Sequence, residues 1–135
     1  MKQFGLSKSE RVKLKNDFQK IYTRGKVLYS SQNKVKVIYY LESSVNESGI
    51  KAAFVVSKRA GNAVWRNRIK RLFRVAYRNY KIPLQQVCSS NNLRLLLSFS
   101  PNNLNQKNNK KINLDEILKD FIELLEKVKV KIENA

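Results

Sequence analysis

SKRAGNAVWRNRIKRLFRVAYR, residues 57–78, holds eight cations and no acid. The cations are Lys58, Arg59, Arg66, Arg68, Lys70, Arg71, Arg74 and Arg78. The same stretch keeps an apolar stripe at helical spacing. Trp65, Ile69, Leu72, Phe73 and Ala76 share an arc of roughly 100° on a helical wheel, the width of a core-facing face. Arg66, Asn67, Lys70, Arg71, Arg74 and Arg78 fill the opposite side, with Arg68 at the border. Gly61-Asn62 opens this helix, and Pro83, which cannot continue one, stops it just beyond Tyr80. A segment that both builds a core and carries this much positive charge is suited to lie against a polyanion.

Working outward, the flanks supply a sheet for the stripe to cover. Residues 26–30 and 34–41 are β-rich, and Val35, Val37 and Tyr39 alternate with Lys36, Ile38 and Tyr40. ESSVNESG (42–49) reads as a turn, and IKAAFVV (50–56) as a third strand completing a small meander. Beyond the basic helix, 84–92 reads as a polar connection and LRLLLSF (93–99) as a buried strand. PNNLNQKNNKK (101–111) is Asn-rich and of low complexity, which predicts a flexible loop over 101–112. Asn113, followed by Glu116, resembles a capping arrangement. It opens a helix with Leu114, Ile117, Leu118, Phe121, Leu124, Leu125 and Val128 on one face.

At the other end, KNDFQKIYTR (15–24) fits a short helix with Asn16 as N-cap and Asp17 at the positive end of its dipole. Phe18, Ile21 and Tyr22 lie on one face, and Gly25 ends it. Residues 1–14 read as an extended arm laid on the body. The order is αβββαβα within one domain, 1–135. It is an α+β fold of the α/β-sandwich type, a four-stranded sheet with helices packed on it.

Composition narrows the function. The net charge of +18 comes from 28 Lys and Arg against 10 Asp and Glu in 135 residues. Between Ser48 and Leu114 there is no acid, and that window holds 14 of the cations. Such a balance favours nucleic acid or an anionic surface. No run of about 18 apolar residues is present to span a bilayer. The first residues lack the apolar core of a signal peptide. The single cysteine, Cys88, fits a cytosolic protein with a structural thiol. Together these predict a cytoplasmic protein with no membrane partner.

The chain has no histidine. That removes the commonest general base and metal ligand, and with them the Ser-His and Cys-His nucleophile arrangements. Asp115, Glu116, Asp120 and Glu123 are the one acidic grouping, and acids at a helix start serve its dipole. No phosphate-binding loop motif occurs. A self-sufficient enzyme is therefore not expected; a nuclease built on Asp115, Glu116 and Asp120 is the alternative that composition leaves.

Two readings remain for the aromatics. Phe18 and Tyr22, four apart on a short helix, suit a core; in a basic cleft they would instead stack unpaired bases. Trp65 suits either packing or the rim of the basic face. For the basic helix itself, six arginines to two lysines suit fixed docking on structured RNA, because arginine grips phosphate bidentately and stacks on bases.

Ser57-Lys58-Arg59-Ala60-Gly61-Asn62-Ala63-Val64-Trp65-Arg66-Asn67-Arg68-Ile69-Lys70-Arg71, with Arg74 beyond it, resembles the Arg-Asn-Arg signature of the bacterial ribonuclease P protein component. Asp17-Phe18-Gln19-Lys20-Ile21-Tyr22 followed by Gly25 resembles the first helix of that family, and the order of elements is similar over the whole chain. The chain departs from the family pattern at Ser98-Phe99-Ser100-Pro101, where many members carry a basic residue before the proline.

The resemblance implies an RNA-binding subunit of a ribozyme that removes the 5′ leader of precursor tRNA, with no obligatory protein partner. It implies that Mg²⁺ and catalysis belong to the RNA, with no cofactor bound by the protein. It places Arg66, Asn67, Arg68, Lys70, Arg71 and Arg74 on the catalytic RNA. It places Phe18, Tyr22 and Tyr39 in a cleft for the single-stranded leader, with Lys58 and Arg59 near its mouth. It also implies a left-handed βαβ crossover through the basic helix, against the usual right-handed rule. A general structured-RNA-binding or ribosomal protein is the alternative.

Overall fold

The computed structural model of the chain describes residues 11–12, 15–43 and 48–134. Most of the expected arm, and the middle of the turn after the second strand, lie outside the described residues. Of the arm, Arg11 forms an isolated parallel bridge to Ala52 and Val12 is buried.

The elements are α1 (Lys15–Arg24), β1 (Lys26–Tyr29), β2 (Val35–Ser43), β3 (Gly49–Phe54), a 3-10 turn (Lys58–Ala60), α2 (Ala63–Tyr80), α3 (Ile82–Ser90), β4 (Leu93–Pro101) and α4 (Leu114–Glu133). The sheet order is β1-β2-β4-β3. β1 and β2 form an antiparallel hairpin, β4 runs antiparallel to β2, and β3 lies parallel to β4. The expected meander is thereby corrected. β2 and β3 are not neighbours; the strand made last in the chain enters between them, reached by a crossover through α2 and α3.

Residues 84–92 are also not a plain connection. Pro83 ends α2 and sits in the first turn of α3, where its missing N–H and fixed φ cost nothing. Leu84 and Cys88, four apart, are the buried face of α3. Burial pushes the Cys88 thiol up to about 11, as befits an unreactive packed sulfur. Asn16 lies inside the first turn of α1 and is not its cap. The expected cap at Asn113 is present, its side chain accepting from Glu116 N at 3.2 Å, and Asn62, read as opening α2, caps it by accepting from Trp65 N at 2.9 Å.

Strand alternation sorts the side chains into two cores. Val35, Val37 and Tyr39 of β2 join Ile50, Ala52, Leu95, Leu97 and Phe99 against α2, α3 and α4. The ring of Phe99 is central here, 4.4 Å from Phe121, 5.8 Å from Phe54 and 6.0 Å from Tyr77 between centroids. Tyr77, absent from the expected stripe of α2, is fully buried in it. On the opposite face Ile21, Val12, Ala53 and Leu96 are buried, with Phe18, Ile38 and Tyr40 packed against them. The molecule is thus three layers: α1, the sheet, and the three remaining helices.

One row of β4 seats α1. Arg94, Leu96 and Ser98 alternate along the strand toward that helix. Arg94 Nη2 donates to Asp17 Oδ2 at 3.0 Å, and Nη1 to Glu42 Oε1 at 2.7 Å. Leu96 packs with Ile21. The hydroxyls of Ser98 and Tyr22 are 3.1 Å apart. Gly25 follows because a side chain there would strike the Ile21 carbonyl and Ile38. Arg94 and Asp17 are both buried, so this ion pair is screened far less than a surface one.

The acids of α4 serve structure as well. Asp120 is buried and accepts from the Ser30 hydroxyl at 2.6 Å. Glu123 accepts from Ser31 N at 2.8 Å and pairs with Lys127 at 2.9 Å. The Ser31 and Lys127 bonds hold its carboxyl below the usual value.

Replacing Arg94 by Leu should cost about 3–5 kcal/mol in chemical denaturation, because Asp17 is left charged and buried; adding Asp17→Leu should restore part of the loss. Partial burial alone would raise the Glu42 carboxyl, but the Arg94 hydrogen bond, with the Lys20 and Arg94 charges, outweighs it and holds the group below its ordinary 4.5. A depressed carboxyl stabilises the fold fully above its unfolded pKa and loses that contribution as pH falls through the folded value. Stability followed from pH 6 to pH 3 should therefore decline less steeply in Glu42→Gln than in the unaltered chain.

Candidate nucleic-acid interface

A groove runs between α1 and the sheet, and its two ends are both cationic. One end, an open cleft of 420 Å³, is lined by Tyr22, Lys36, Ile38, Val55, Arg59 and the chain from Ser100 to Asn105. The other, of 280 Å³, is lined by Arg11, Phe18, Val55, Lys70 and Arg74 among others. Val55 borders both. No Asp or Glu lines either end.

The face of α1 over this groove is graded. Ile21 is fully buried, Phe18 half-buried, and Tyr22 is 53% exposed. The Phe18 and Tyr22 rings stack with centroids 6.5 Å apart and planes at 8°. Ile21 is the buried anchor and Phe18 packs partly beside it, which leaves Tyr22 and the outer part of Phe18 to offer an apolar ring surface beside cations, the arrangement that stacks unpaired bases. Tyr22 is aimed by its hydroxyl contact with Ser98, and α1 by the Asp17–Arg94 pair.

Tyr39 does not join them. It sits in the main core on the opposite face of the sheet, where burial pushes its phenol up. Side chains alternate along β2, so the groove-facing residues are its neighbours Lys36, Ile38 and Tyr40. The alternation Lys36-Ile38-Tyr40 was visible in the sequence and was the signal for this face. Arg59 lines the cleft; Lys58 is exposed beside it on the same 3-10 turn. Phe99 is core, and Ser100 is the cleft residue before Pro101.

Helix α2 presents the rest of the cationic surface. Trp65, Ile69, Phe73, Ala76 and Tyr77 are buried, which turns Asn67 and Arg71 outward and leaves Arg66, Lys70 and Arg74 half-buried beside them. Among the described residues no carboxylate pairs with this row. Burial, together with the charges of Arg11 and Arg71, lowers the pKa of Arg74 from the usual arginine value. That crowding of like charge is what a phosphate backbone would relieve. Arg68 departs from the row: its Nε and Nη2 both donate to the Ile112 carbonyl, at 3.0 and 2.7 Å. Trp65 is core, and its Nε1 donates to the Asn109 carbonyl at 2.9 Å.

Among the described residues no three His, Cys, Asp or Glu converge as a metal site, and no helix is long and apolar enough to cross a membrane. Cations beside a partly exposed aromatic pair are an arrangement chemically suited to a polyanion with unstacked bases.

Comparison with known proteins agrees with this geometry. The chain is 43% identical over 76 residues to the ribonuclease P protein component of Macrococcus caseolyticus, an alignment covering 56% of the chain and 63% of the relative. The chain thus spans less than two thirds of that relative's length. It is 42% identical over 80 residues to the ribonuclease P protein component of Streptococcus agalactiae, covering 59% of the chain and 69% of the relative. The solved structure of the Staphylococcus aureus RNase P protein superposes with a TM-score of 0.61 at 25% identity, covering 90% of this chain and 96% of that one. That of the Thermotoga maritima RNase P protein gives 0.65 at 20% identity, over 87% and 96%, a likeness of fold. The family model for Ribonuclease P matches residues 6–129. The chain belongs to the ribonuclease P protein family.

Proposed function

We propose that this chain is the RNA-binding subunit of ribonuclease P, a cytoplasmic protein with two working faces. The exposed row of α2, with Arg66, Asn67, Lys70, Arg71 and Arg74, docks on the catalytic RNA. The groove under α1, with Phe18, Tyr22 and Arg59, and with Lys58 at its mouth, takes the single-stranded 5′ leader of precursor tRNA. Hydrolysis at the tRNA 5′ end and its Mg²⁺ belong to the RNA in this reading; Asp17 and Glu42 are committed to Arg94, Asp120 to Ser30 and Glu123 to Ser31 and Lys127, while Asp115 and Glu116 stand at the start of α4. The observation that carries the reading is the groove itself: a stacked, half-exposed aromatic pair between two cationic ends with no acid in its lining. A partner that is both anionic and unstacked fits it, which single-stranded RNA is.

The test is reconstitution with a bacterial ribonuclease P RNA at low Mg²⁺. Adding the protein should restore cleavage of precursor tRNA, and the protein alone should cleave nothing. Cleavage by protein without RNA would overturn the reading. Equal binding of precursor and mature tRNA by the reconstituted particle would point instead to a general RNA-binding protein. Within the particle, Phe18→Ala or Tyr22→Ala should each weaken precursor binding by about 1–3 kcal/mol, as measured by titration, while binding of mature tRNA stays unchanged.

A further inference from the structure

The Asn-rich stretch after β4, expected to be flexible, is tied to the start of α2 at four points. Gln106 N donates to the Ala60 carbonyl at 2.7 Å, and its side-chain oxygen accepts from Asn62 N at 2.8 Å. Trp65 Nε1 holds the Asn109 carbonyl, and Arg68 holds that of Ile112 with two nitrogens. Leu104 and Ile112 are buried beneath it. Gly61 is required at this seam, since a Cβ there would meet the Trp65 ring and Gln106. From its other end, Asn102 N reaches the Lys34 carbonyl and Asn103 N that of Asn33. So fastened, the stretch sets Asn102, Leu104 and Asn105 as a wall of the cleft that Tyr22 and Arg59 also line.

We propose that Arg68 and Trp65 are positioning residues for the leader groove, and that Arg68 holds the 102–112 wall rather than a phosphate of the catalytic RNA. A carbonyl gripped by two guanidinium nitrogens fixes both position and orientation, which a lysine cannot do. The Asn102 amide nitrogen donates to the Asn33 carbonyl and the Asn105 amide oxygen accepts from Asn108 N, so the wall offers the other amide atom of each, Asn102 Oδ1 and Asn105 Nδ2, beside the cations Arg59 and Lys36. An unpaired nucleotide seated there has its phosphate met by charge and its base edge by amide groups. The inference rests on the groove's being the leader site, and it joins the two faces mechanically, because the helix that docks on RNA also carries the clamp for the substrate wall.

Two measurements separate this from its failure and from failure of the functional reading. On the protein alone, Arg68→Met and Trp65→Phe should each speed tryptic cleavage after Lys107, Lys110 and Lys111 by at least roughly threefold to tenfold, the loss of one hydrogen-bonded carbonyl contact, with the larger effect in Arg68→Met, which loses two bonds to Ile112. Unchanged cleavage in both would overturn the clamp whatever the protein binds. In the reconstituted particle, Arg68→Met should leave the salt dependence of assembly with the catalytic RNA at its original slope, whereas Arg66→Ala should lower that slope by about one. Arg68→Met should also weaken precursor tRNA by a similar threefold to tenfold while mature tRNA is unaffected. A slope lowered by about one in Arg68→Met would make it a phosphate ligand and overturn the proposal, and so would equal weakening of precursor and mature tRNA. If the unaltered particle shows no preference for precursor, the functional reading has failed, and the tryptic experiment still decides the clamp.

Discussion

A buried arginine on the central strand governs where everything else can sit. Arg94 stands on β4 facing α1 and holds Asp17 and Glu42 together. Without it, α1 would keep Ile21, Phe18 and their few apolar partners, the Tyr22–Ser98 contact and the more exposed Lys20–Glu42 pair, but no buried charged anchor. The groove is the space between α1 and the sheet, so its width and the aim of Phe18 and Tyr22 follow from that ion pair. A charged anchor is a demanding choice, since the gain is offset by desolvation. It is also directional, which an apolar contact of the same size is not. A helix that must hold two half-exposed rings over a groove needs orientation more than it needs burial.

The same logic explains how a chain of this charge folds around its own cations. The main core is apolar and aromatic, clustered on Phe99, Tyr77, Phe73 and Phe121. Asp17, Glu42, Asp120 and Glu123 are spent locally, on Arg94, Ser30, Ser31 and Lys127, and among the described residues no carboxylate pairs with Arg66, Lys70, Arg71 or Arg74. The positive field is therefore left intact on one helix and around one groove. Burial first, and then the charges of Arg11 and Arg71, lower the pKa of Arg74; the like-charge part of that cost is what an RNA partner would relieve.

Much of this was legible in the residues, and the misses have physical causes. Most of the apolar stripe of α2, the Asn113 cap and the helix from Leu114 are local patterns and appear as read, while Tyr77 was missed from the stripe and Asn16 is not a cap. Neighbouring strands are a non-local property, so the insertion of β4 between β2 and β3 was not visible in three consecutive β-rich runs. Helix α3 was hidden by Pro83, which reads as a stop although it is equally suited to a first turn; Leu84 and Cys88 four apart were the available signal. Tyr39 was assigned to the groove by resemblance, while the alternation of its own strand puts it in the core. The Asn-rich stretch looked loose because its ties are backbone carbonyls at Asn109 and Ile112, which no composition reveals. Arg68, at the border of the apolar arc, was the one member of the cationic row whose position hinted at a different use.

The strand order also has a kinetic side. β4 is the inner strand, yet β1, β2, β3, α2 and α3 all precede it in the chain. Until residues 93–101 arrive, β2 and β3 each show an unpaired edge, and the apolar stripe of α2 has no completed sheet to cover. Sheet closure waits on long-range pairing between distant segments, the slow kind of contact. During that interval the eight positive charges of 57–78 would keep chains apart when exposed strand edges would otherwise draw them together.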